Sequence, residues 1–450
     1  GNDIAQIGAL CEKYNLYFVL DASQTAGAAG IDMEQDHISA ICFTGHKGLF
    51  GPQGTGGIVL ADGVCVKPLL SGGSGVHSFE RKHPMELPAA LEAGTLNGHG
   101  IAGLHAALDW IKKTGIAAIH EKEMALAEQF QREIETIPGI HLYGGEKRVA
   151  AIVSCNLADL DSAYVSDCLA EDYGIATRAG VHCAPLIHTH FGTEKQGMVR
   201  FSFSCFNTTE EVEKAVRAMQ DIAMENRGKV TAYVGAGGKT SSIRKRAETL
   251  RAEGKRVLIL TTTKMMVPQE QEIFAAYEQT GQESVISATA SVWQERRAAE
   301  KQLKERVQSV LDTYGCCVAG SLIPGTEKFG MLPEKLMEDL LYLADEILIE
   351  ADGSAHMPVK APAEHEPVLF PYMDEVVIVM GAHAIGKPLQ EVCHRVDYAK
   401  KILKCDADKI VTAADIRALA EQGYAIPIQK QFPWMKISKV TGKDIKLCLT

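Results

Sequence analysis

A single lysine follows the apolar run Ile38 to Phe43. The run ends in Thr44-Gly45-His46, Lys47 comes next, and glycines recur from Gly48 to Gly57 before another apolar run, Gly57-Ile58-Val59-Leu60. A lysine at a strand end, set among glycines, can reach inward, lose its proton and form a Schiff base with an aldehyde, because lysine shifts its pKa readily when buried. A solvated surface lysine leaves the same local pattern, so the neighbours decide. Tyr17-Phe18-Val19-Leu20 is a further apolar run; it ends in Asp21, with Gln24 three residues on. Strands of a parallel sheet deliver functional residues at their carboxyl ends. Asp21 and Lys47 are therefore expected to face one crevice, where an acid can keep a ring nitrogen protonated while the lysine holds an aldehyde.

A second group lies in the other half of the chain. Val230 to Val234 reads as a strand, Gly235-Ala236-Gly237-Gly238-Lys239-Thr240-Ser241 as a glycine-rich turn, and Ile243, Ala247 and Leu250 as one face of a helix ending near Gly254. Such a turn can converge backbone N–H groups on a phosphate at a helix N-terminus. The lysine adds charge, and the hydroxyl that follows can hold Mg²⁺. An ordinary tight strand-to-helix turn has the same composition, and Tyr233 stands where the first glycine of a full phosphate-loop motif is expected. Two later strand ends support the phosphate reading. Thr261-Thr262-Thr263-Lys264 supplies hydroxyls and a cation, and Glu346 to Glu350 runs into Glu350-Ala351-Asp352-Gly353, whose acids suit a metal ion bound by nucleotide phosphates.

The elements that must position these groups are legible in outline. Ile4, Ile7, Leu10 and Cys11 mark a helix leading to the Asp21 strand, and from Asp21 to about Leu60 the pattern predicts strand–helix–strand units of a mostly parallel sheet. Ser71 to Gly75 reads as a flexible loop. Thr95, in Glu92-Ala93-Gly94-Thr95-Leu96-Asn97, could cap a helix over Gly100 to Trp110. Ile116 to Ile137 has helical spacing, Ala150 to Ser154 reads as a strand, and Asp161 to Tyr173 as a helix capped by Gly174. Cys183 falls in a loop between Arg178 and Pro185. Beside histidine and arginine its thiol can be nucleophilic, although a buried thiol is the commoner fate of cysteine. Arg200, in Val199-Arg200-Phe201-Ser202, offers a planar fork for a carboxylate. Met224 to Lys229 is a polar joint.

Residues 1 to about 223 resemble the fold-type I, class V aminotransferases, and among them the NifS-like cysteine desulfurases. The resemblance rests on Asp21-Ala22-Ser23-Gln24, Thr44-Gly45-His46-Lys47-Gly48, Glu92 to Asn97, Arg178-Ala179-Gly180-Val181-His182-Cys183-Ala184-Pro185 and Val199 to Ser202, in family order. It implies a partial pyridoxal 5'-phosphate (PLP) binding large domain over 1–137 and a small α+β lobe over 138–223. In it Lys47 carries the cofactor, Asp21 its ring nitrogen, Gln24 its ring oxygen, and Thr44 and His46 its phosphate. Thr95 would reach the cofactor phosphate of the other subunit of a homodimer, Arg178 and Arg200 would bind substrate, and Cys183 would carry a persulfide. The Gly-Val-His-Cys form departs from the commoner His-His-Cys version. The family also places a phosphate-binding turn and a ring-stacking side chain before this point, so the site in this chain is expected to be incomplete.

Residues 229 to about 420 resemble the YqeC-like family through Val234 to Ser241, Thr261 to Lys264, Glu350 to Gly353, Lys360-Ala361-Pro362, His365-Glu366-Pro367 and His394-Arg395. The resemblance implies an accessory role for selenium-dependent molybdenum hydroxylases. The whole second half, 229–450, reads as a P-loop-like α/β nucleotide-binding domain for ATP or GTP with Mg²⁺. Gly235, Gly237, Gly238, Lys239, Thr240 and Ser241 would sit on the nucleotide, and Thr240, Glu350 and Asp352 on the metal. The tail Gln429 to Thr450 lacks a guanine-selective motif.

Composition, with 46% hydrophobic and 23% charged residues, is ordinary for a globular protein. The chain has 450 residues and a net charge of -11, so no basic footprint points to nucleic acid or an anionic membrane. The sequence carries neither a bilayer-length apolar run nor a signal peptide, and a cytoplasmic protein is expected. Its 12 cysteines form no CxxC pair; Cys316-Cys317 reads as strand packing, and His182, His188 and His190 match no familiar metal spacing. The function expected is release of sulfur or selenium from L-cysteine or L-selenocysteine, joined to a nucleotide-dependent accessory unit, with an acceptor protein or molybdenum hydroxylase as partner. The alternatives are a class V aminotransferase for another amino acid, or an incomplete fragment acting only through its second unit.

Overall fold

The computed structural model describes residues 2–73, 75, 79–144, 148–278 and 290–442. Ser74 of the loop Ser71 to Gly75, and residues 443–450 of the tail, lie outside the described residues. The chain divides into two units, one of residues 1–136, 141–156 and 160–220, the other of 137–140, 157–159 and 221–450.

The first unit opens with helix α1 (Ile4–Lys13), capped by Asp3, whose side chain accepts the Gln6 amide. Strands β1 (Val19–Asp21), β2 (Ala40–Thr44) and β3 (Gly56–Leu60) form one sheet, parallel between β1 and β2 and antiparallel between β2 and β3. The helix expected between the first two strands is absent. Residues 22–39 turn instead, because Asp21 and Asp32 hold nearby backbone amides with their side chains and break any regular ladder. Ile38 and Ala40 are buried, but the rest of β2 is only half-buried, and Tyr17, Val19, Ile58 and Val59 are exposed. Two glycines set the strand-end loops against one another. Gly27 has φ +83°, and a Cβ on it would lie 2.2 Å from the Gly48 carbonyl oxygen; a Cβ on Gly45 would meet Thr55 Oγ1 at 2.1 Å.

Helix α2 (Gly98–Thr114) follows. Its cap is Asn97, which accepts the Gly100 amide at 3.0 Å, rather than Thr95, which lies exposed two residues earlier. Helix α3 (Ile116–Ile134) buries Ile119, Leu126, Phe130 and Ile134 on one face. Strands β4 (Ile140–Tyr143), β5 (Ile152–Leu157) and β6 (Val199–Ser202) form a second small sheet in that order. Helix α4 (Ser162–Tyr173) is capped by Asp161 and ended by Gly174 in the left-handed region. Helix α5 (Pro185–Phe191) starts on a proline, and α6 (Thr209–Asn226) leads to the second unit.

There, β7 (Lys229–Gly235) runs into α7 (Lys239–Ala252), and β8 (Val257–Thr261), β9 (Met265–Met266), β10 (Phe274–Tyr277), β11 (Cys316–Leu322), β12 (Lys328–Gly330) and β13 (Glu346–Glu350) follow. Short β14 (Val359–Lys360) pairs in parallel with β16 (Cys393–His394). β15 (Glu375–Gly381) lies between β7 and β17 (Lys436–Gly442). The large sheet has the order β17-β15-β7-β13-β8-β11-β12-β9, with β10 also on β11. Its pairs from β17 to β11 are parallel. Side chains alternate between the two faces as the pleat requires: Leu258 and Leu260 join one core, Val257 and Ile259 the other. Ile243, Ala247 and Leu250 of α7 pack on the second face. Cys316 and Cys317 are both buried strand residues.

Candidate functional sites

β1 and β2 end side by side, Asp21 opposite Cys42, which brings Asp21, Thr44 and the Lys47 turn to one edge of the first sheet. Asp21 Oδ1 accepts the Ser23 amide at 2.9 Å and the Ser23 hydroxyl at 2.5 Å. Those bonds, the hydroxyl first, hold its carboxyl below the usual range, and the charge of Lys47 acts in the same direction. The Thr44 hydroxyl is 3.5 Å from the Ser23 carbonyl oxygen that accepts it. Lys47 heads a tight turn in which its carbonyl accepts the Phe50 amide at 2.9 Å, while the Gly45 amide donates to the carbonyl of Thr55, just before β3. Asp21, Gln24, His46, Lys47 and Thr95 are all exposed, and Thr44 is half-buried. Lys47 therefore does not reach into a closed interior here; it stands on an open edge.

The Cys183 loop supplies a second constellation. Arg178 pairs through its backbone with Arg200 of β6 in an isolated bridge, with bonds of 3.1 and 2.9 Å, which sets the two arginines side by side. Arg178 Nη2 is 3.5 Å from Cys183 Sγ. His182 Nε2 donates to the Arg178 carbonyl at 2.7 Å, which leaves Nδ1 of a neutral ring as an acceptor; burial pushes the His182 pKa down and favours that neutral form. His182 and Cys183 have φ of 52° and 61°, left-handed values that cost a non-glycine residue on the order of 1–3 kcal/mol each. Burial and the neighbouring Arg178 lower the Arg200 pKa, and Arg200 Nε is buried without a partner. An anion accepted there would satisfy it.

In the second unit the glycine turn lies where β7 enters α7. Gly235, Gly237 and Gly238 have φ of +93°, +77° and +128°. A Cβ on Gly235 would lie 2.2 Å from the Val379 carbonyl oxygen, and one on Gly237 would lie 2.4 Å from that of Pro358. Lys239 is buried, donates to the Gly235 carbonyl at 2.7 Å, and has its pKa lowered by burial. Ser241 follows within the first turn of α7, where the leading amides have no intrahelical acceptor. The Thr240 hydroxyl donates to Glu350 Oε2 at 2.9 Å, and burial raises the Glu350 pKa.

Asp352 serves the turn differently from the expected metal ligand. It is fully buried, and both carboxylate oxygens are engaged. Oδ1 is paired with Lys360; Oδ2 accepts the Gly235 amide at 3.1 Å and the Tyr424 hydroxyl at 2.7 Å. Lys360, itself 0% exposed, also bonds Glu366 at 2.8 Å, and Arg395 holds the other Glu366 oxygen at 2.8 Å. Among the described residues no group of three or more His, Cys, Asp or Glu side chains could hold a metal ion.

Residues 1–215 match the model of the family described as aminotransferase class-V, and residues 231–397 match that of the YqeC protein. The chain is a class-V aminotransferase domain joined to a YqeC domain. A probable cysteine desulfurase of Methanothermobacter thermautotrophicus is 33% identical over 226 residues, 49% of this chain and 56% of that protein. A cysteine desulfurase of Shigella flexneri is 30% identical over 49% of this chain and 54% of its own length. The chain thus spans about half the length of the curated relatives it matches. The apo structure of a cysteine desulfurase from Thermococcus onnurineus is 29% identical at a TM-score of 0.46, over 50% of this chain and 56% of that one.

In the class-V domain, sequence reasoning named the strand-end residues and quoted Ser23 without a role, although its hydroxyl is the main partner of Asp21. In the YqeC domain it quoted Lys360, Glu366 and Arg395 without giving them work, and it missed Tyr424. A lysine inside the run Met357-Pro358-Val359-Lys360-Ala361-Pro362 was the available signal, since a lysine among apolar residues needs a buried acid. Nothing local marks Tyr424. It reaches Asp352 from a π-helical stretch, Leu419–Ala425, which lies beyond the family match.

Proposed function

We propose that the class-V domain acts with PLP as a cysteine desulfurase or selenocysteine lyase, its large and small parts at 1–137 and 138–223. The observation that carries this is the pairing of an ionised acid and a lysine at adjoining strand ends: Asp21 is held in its charged form, and Lys47 contributes to that. These residues fit PLP. An ionised Asp21 can hold a protonated ring nitrogen, Lys47 the aldehyde carbon, Gln24 the ring oxygen, and Thr44 and His46 a phosphate. When bound, the cofactor supplies an electron sink for charge developing at the substrate Cα.

The chain's own residues do the remaining work. Arg200, whose Nε is otherwise unmet, and Arg178 hold the α-carboxylate of L-cysteine or L-selenocysteine. The Lys47 amine moves the Cα proton. Cys183, beside the Arg178 guanidinium, takes the sulfur as a persulfide and leaves alanine. Thr95 serves the cofactor phosphate of a second subunit in a homodimer. An acceptor protein then removes the sulfur or selenium, in the cytoplasm; no helix of the described residues is long and apolar enough to cross a membrane.

The test is spectroscopic and then chemical. Adding PLP to the full chain is expected to give a visible absorption band that Lys47→Ala lacks. Sulfide release from cysteine is then expected to fall at least ~100-fold in Cys183→Ala while the band stays, a loss in the range expected for removing a nucleophile. Full sulfide release in Cys183→Ala would remove the persulfide role. A Lys47-dependent band with turnover of another amino acid would favour an aminotransferase.

For the YqeC domain, 229–450, we propose a P-loop-like site for ATP or GTP with Mg²⁺, serving maturation of a selenium- or molybdenum-containing hydroxylase. Its support is the buried Lys239 folded over the glycine turn. Gly235, Gly237, Gly238, Lys239, Thr240 and Ser241 would hold the phosphates. Thr240 and Glu350 would hold Mg²⁺, which is commonly bound by one or two carboxylates together with phosphates and water. Lys239→Ala is expected to weaken nucleotide binding at least tenfold; unaltered affinity removes the assignment.

A further inference from the structure

We propose that Arg395, held by Glu366, contacts the terminal phosphate of a triphosphate whose inner phosphates lie on the Gly235–Ser241 turn; this rests on the nucleotide reading of that turn. Four observations carry it.

The first is placement. A Cβ on Gly237 would touch the Pro358 carbonyl, which also accepts the Gly381 amide at 2.7 Å, so the turn packs directly on the residue that precedes β14. β14 pairs with β16 in parallel, with Lys360 opposite His394, and Arg395 follows at once. The field of Glu366 is felt at Lys239, and that of Arg395 at His394. The turn, Lys360, Glu366 and Arg395 thus form one continuous charged cluster.

The second is an unmet donor. Arg395 Nε is buried without a hydrogen-bond partner, although the side chain as a whole is 30% exposed. A guanidinium with one arm clamped and another N–H left open is suited to an oxyanion. The third is backbone strain. Arg395 has φ 67° and ψ 58°, sits just before the helix Val396–Leu403, and gives that helix no side-chain cap. Its carbonyl accepts the Tyr398 and Ala399 amides at 3.1 and 3.2 Å, but its side chain bonds nothing in that helix; left-handed non-glycine residues of this kind cluster at ligand sites.

The fourth is the tether. Glu366 Oε1 holds Arg395 while Oε2 accepts Lys360, which is locked on Asp352, which holds the Gly235 amide. The guanidinium is therefore referenced, through half-buried Glu366 and fully buried Lys360 and Asp352, to the first glycine of the turn. Such a chain fixes the distance between inner-phosphate and outer-phosphate contacts, which is what a site needs to distinguish a triphosphate from a diphosphate.

Calorimetric titration of the full chain with inorganic tripolyphosphate and with pyrophosphate, each with Mg²⁺, tests this. Arg395→Gln is expected to weaken tripolyphosphate at least ~10-fold, the loss of one charge-assisted hydrogen bond, while pyrophosphate changes less than ~2-fold on the same basis. Lys239→Ala is expected to weaken both. If Arg395→Gln leaves both probes unchanged, or weakens both equally, the proposal is overturned, and the turn reading stands as long as Lys239→Ala weakens both. If Lys239→Ala changes neither, the turn reading fails and this inference with it. Should Arg395→Gln not fold, Arg395→Gly removes the left-handed strain and gives the same readout.

Discussion

Charge at the level of single residues is settled in opposite ways in the two domains. Asp21 is kept ionised by short bonds from Ser23 on an exposed edge, whereas Glu366 is kept ionised inside a cluster. Burial alone would raise the Glu366 pKa. Hydrogen bonds from Lys360, the Ala363 amide and Arg395 outweigh it and bring the pKa down to about 2. In the unfolded chain a glutamate titrates near ~4.3. A carboxylate with a depressed folded pKa contributes stability that is fully present above ~4.3 and is lost as the pH falls from there towards the folded value. Acid unfolding of the YqeC domain, followed by exchange of β13 amides in the full chain, is therefore expected to steepen between pH ~4.3 and ~2. Glu366→Gln should lower stability at neutral pH and flatten that limb. An unchanged slope would mean that Glu366 is not ionised in the folded protein.

Elements, rather than side chains, decide how the glycine turn works. Gly237 and Gly238 both have positive φ, but only Gly237 is crowded: its added Cβ would press on backbone, while that of Gly238 would meet nothing within 4 Å. Gly238→Ala should cost only the local strain, on the order of 1–3 kcal/mol, and keep the link from the turn to β14. Gly237→Ala must displace Pro358 or Gly381 and should destabilise by more. Urea titration of the two variants in the full chain compares them, and equal losses would show that strain, not crowding, governs the turn.

At this scale the sequence was most readable where period and punctuation agree. Val230 to Val234, the glycines and the Ile243, Ala247, Leu250 face fell on β7, the turn and α7, because strand, turn and helix signals followed one another without conflict. It was least readable between β1 and β2, where aspartates hold backbone amides with their side chains and no helix forms. The cap at Thr95 was misplaced for a similar reason: Asn97 is an equally good acceptor two residues on, and composition cannot rank the two.

Across the whole molecule, the residues bonded around the glycine turn come from far apart in the chain. Strand ends reveal themselves locally, which is why Lys47 and Lys239 drew notice as candidates. A partner such as Tyr424 cannot, since its task exists only once the π-helical stretch packs; Gly423 there faces Pro362, where an added Cβ would meet the ring at 3.1 Å. The family match ends at residue 397, yet Asp352 depends on this later hydroxyl. A chain stopped after Asp397 also loses β17, the outer partner of β15. Such a truncation is expected to lose hydrogen-exchange protection at β15 and at the Gly235 amide, and to bind tripolyphosphate at least ~10-fold more weakly. Retained protection at both places would confine the site to the matched residues.

The reach of the Asp352–Tyr424 bond also has a meaning in time. A ribosome working at roughly 5–20 residues per second needs on the order of 4–14 s to pass from Asp352 to that tyrosine. During that interval the acid has no hydroxyl to meet, and β15 has no outer neighbour. A nascent chain in this state is the form that chaperones and proteases meet first.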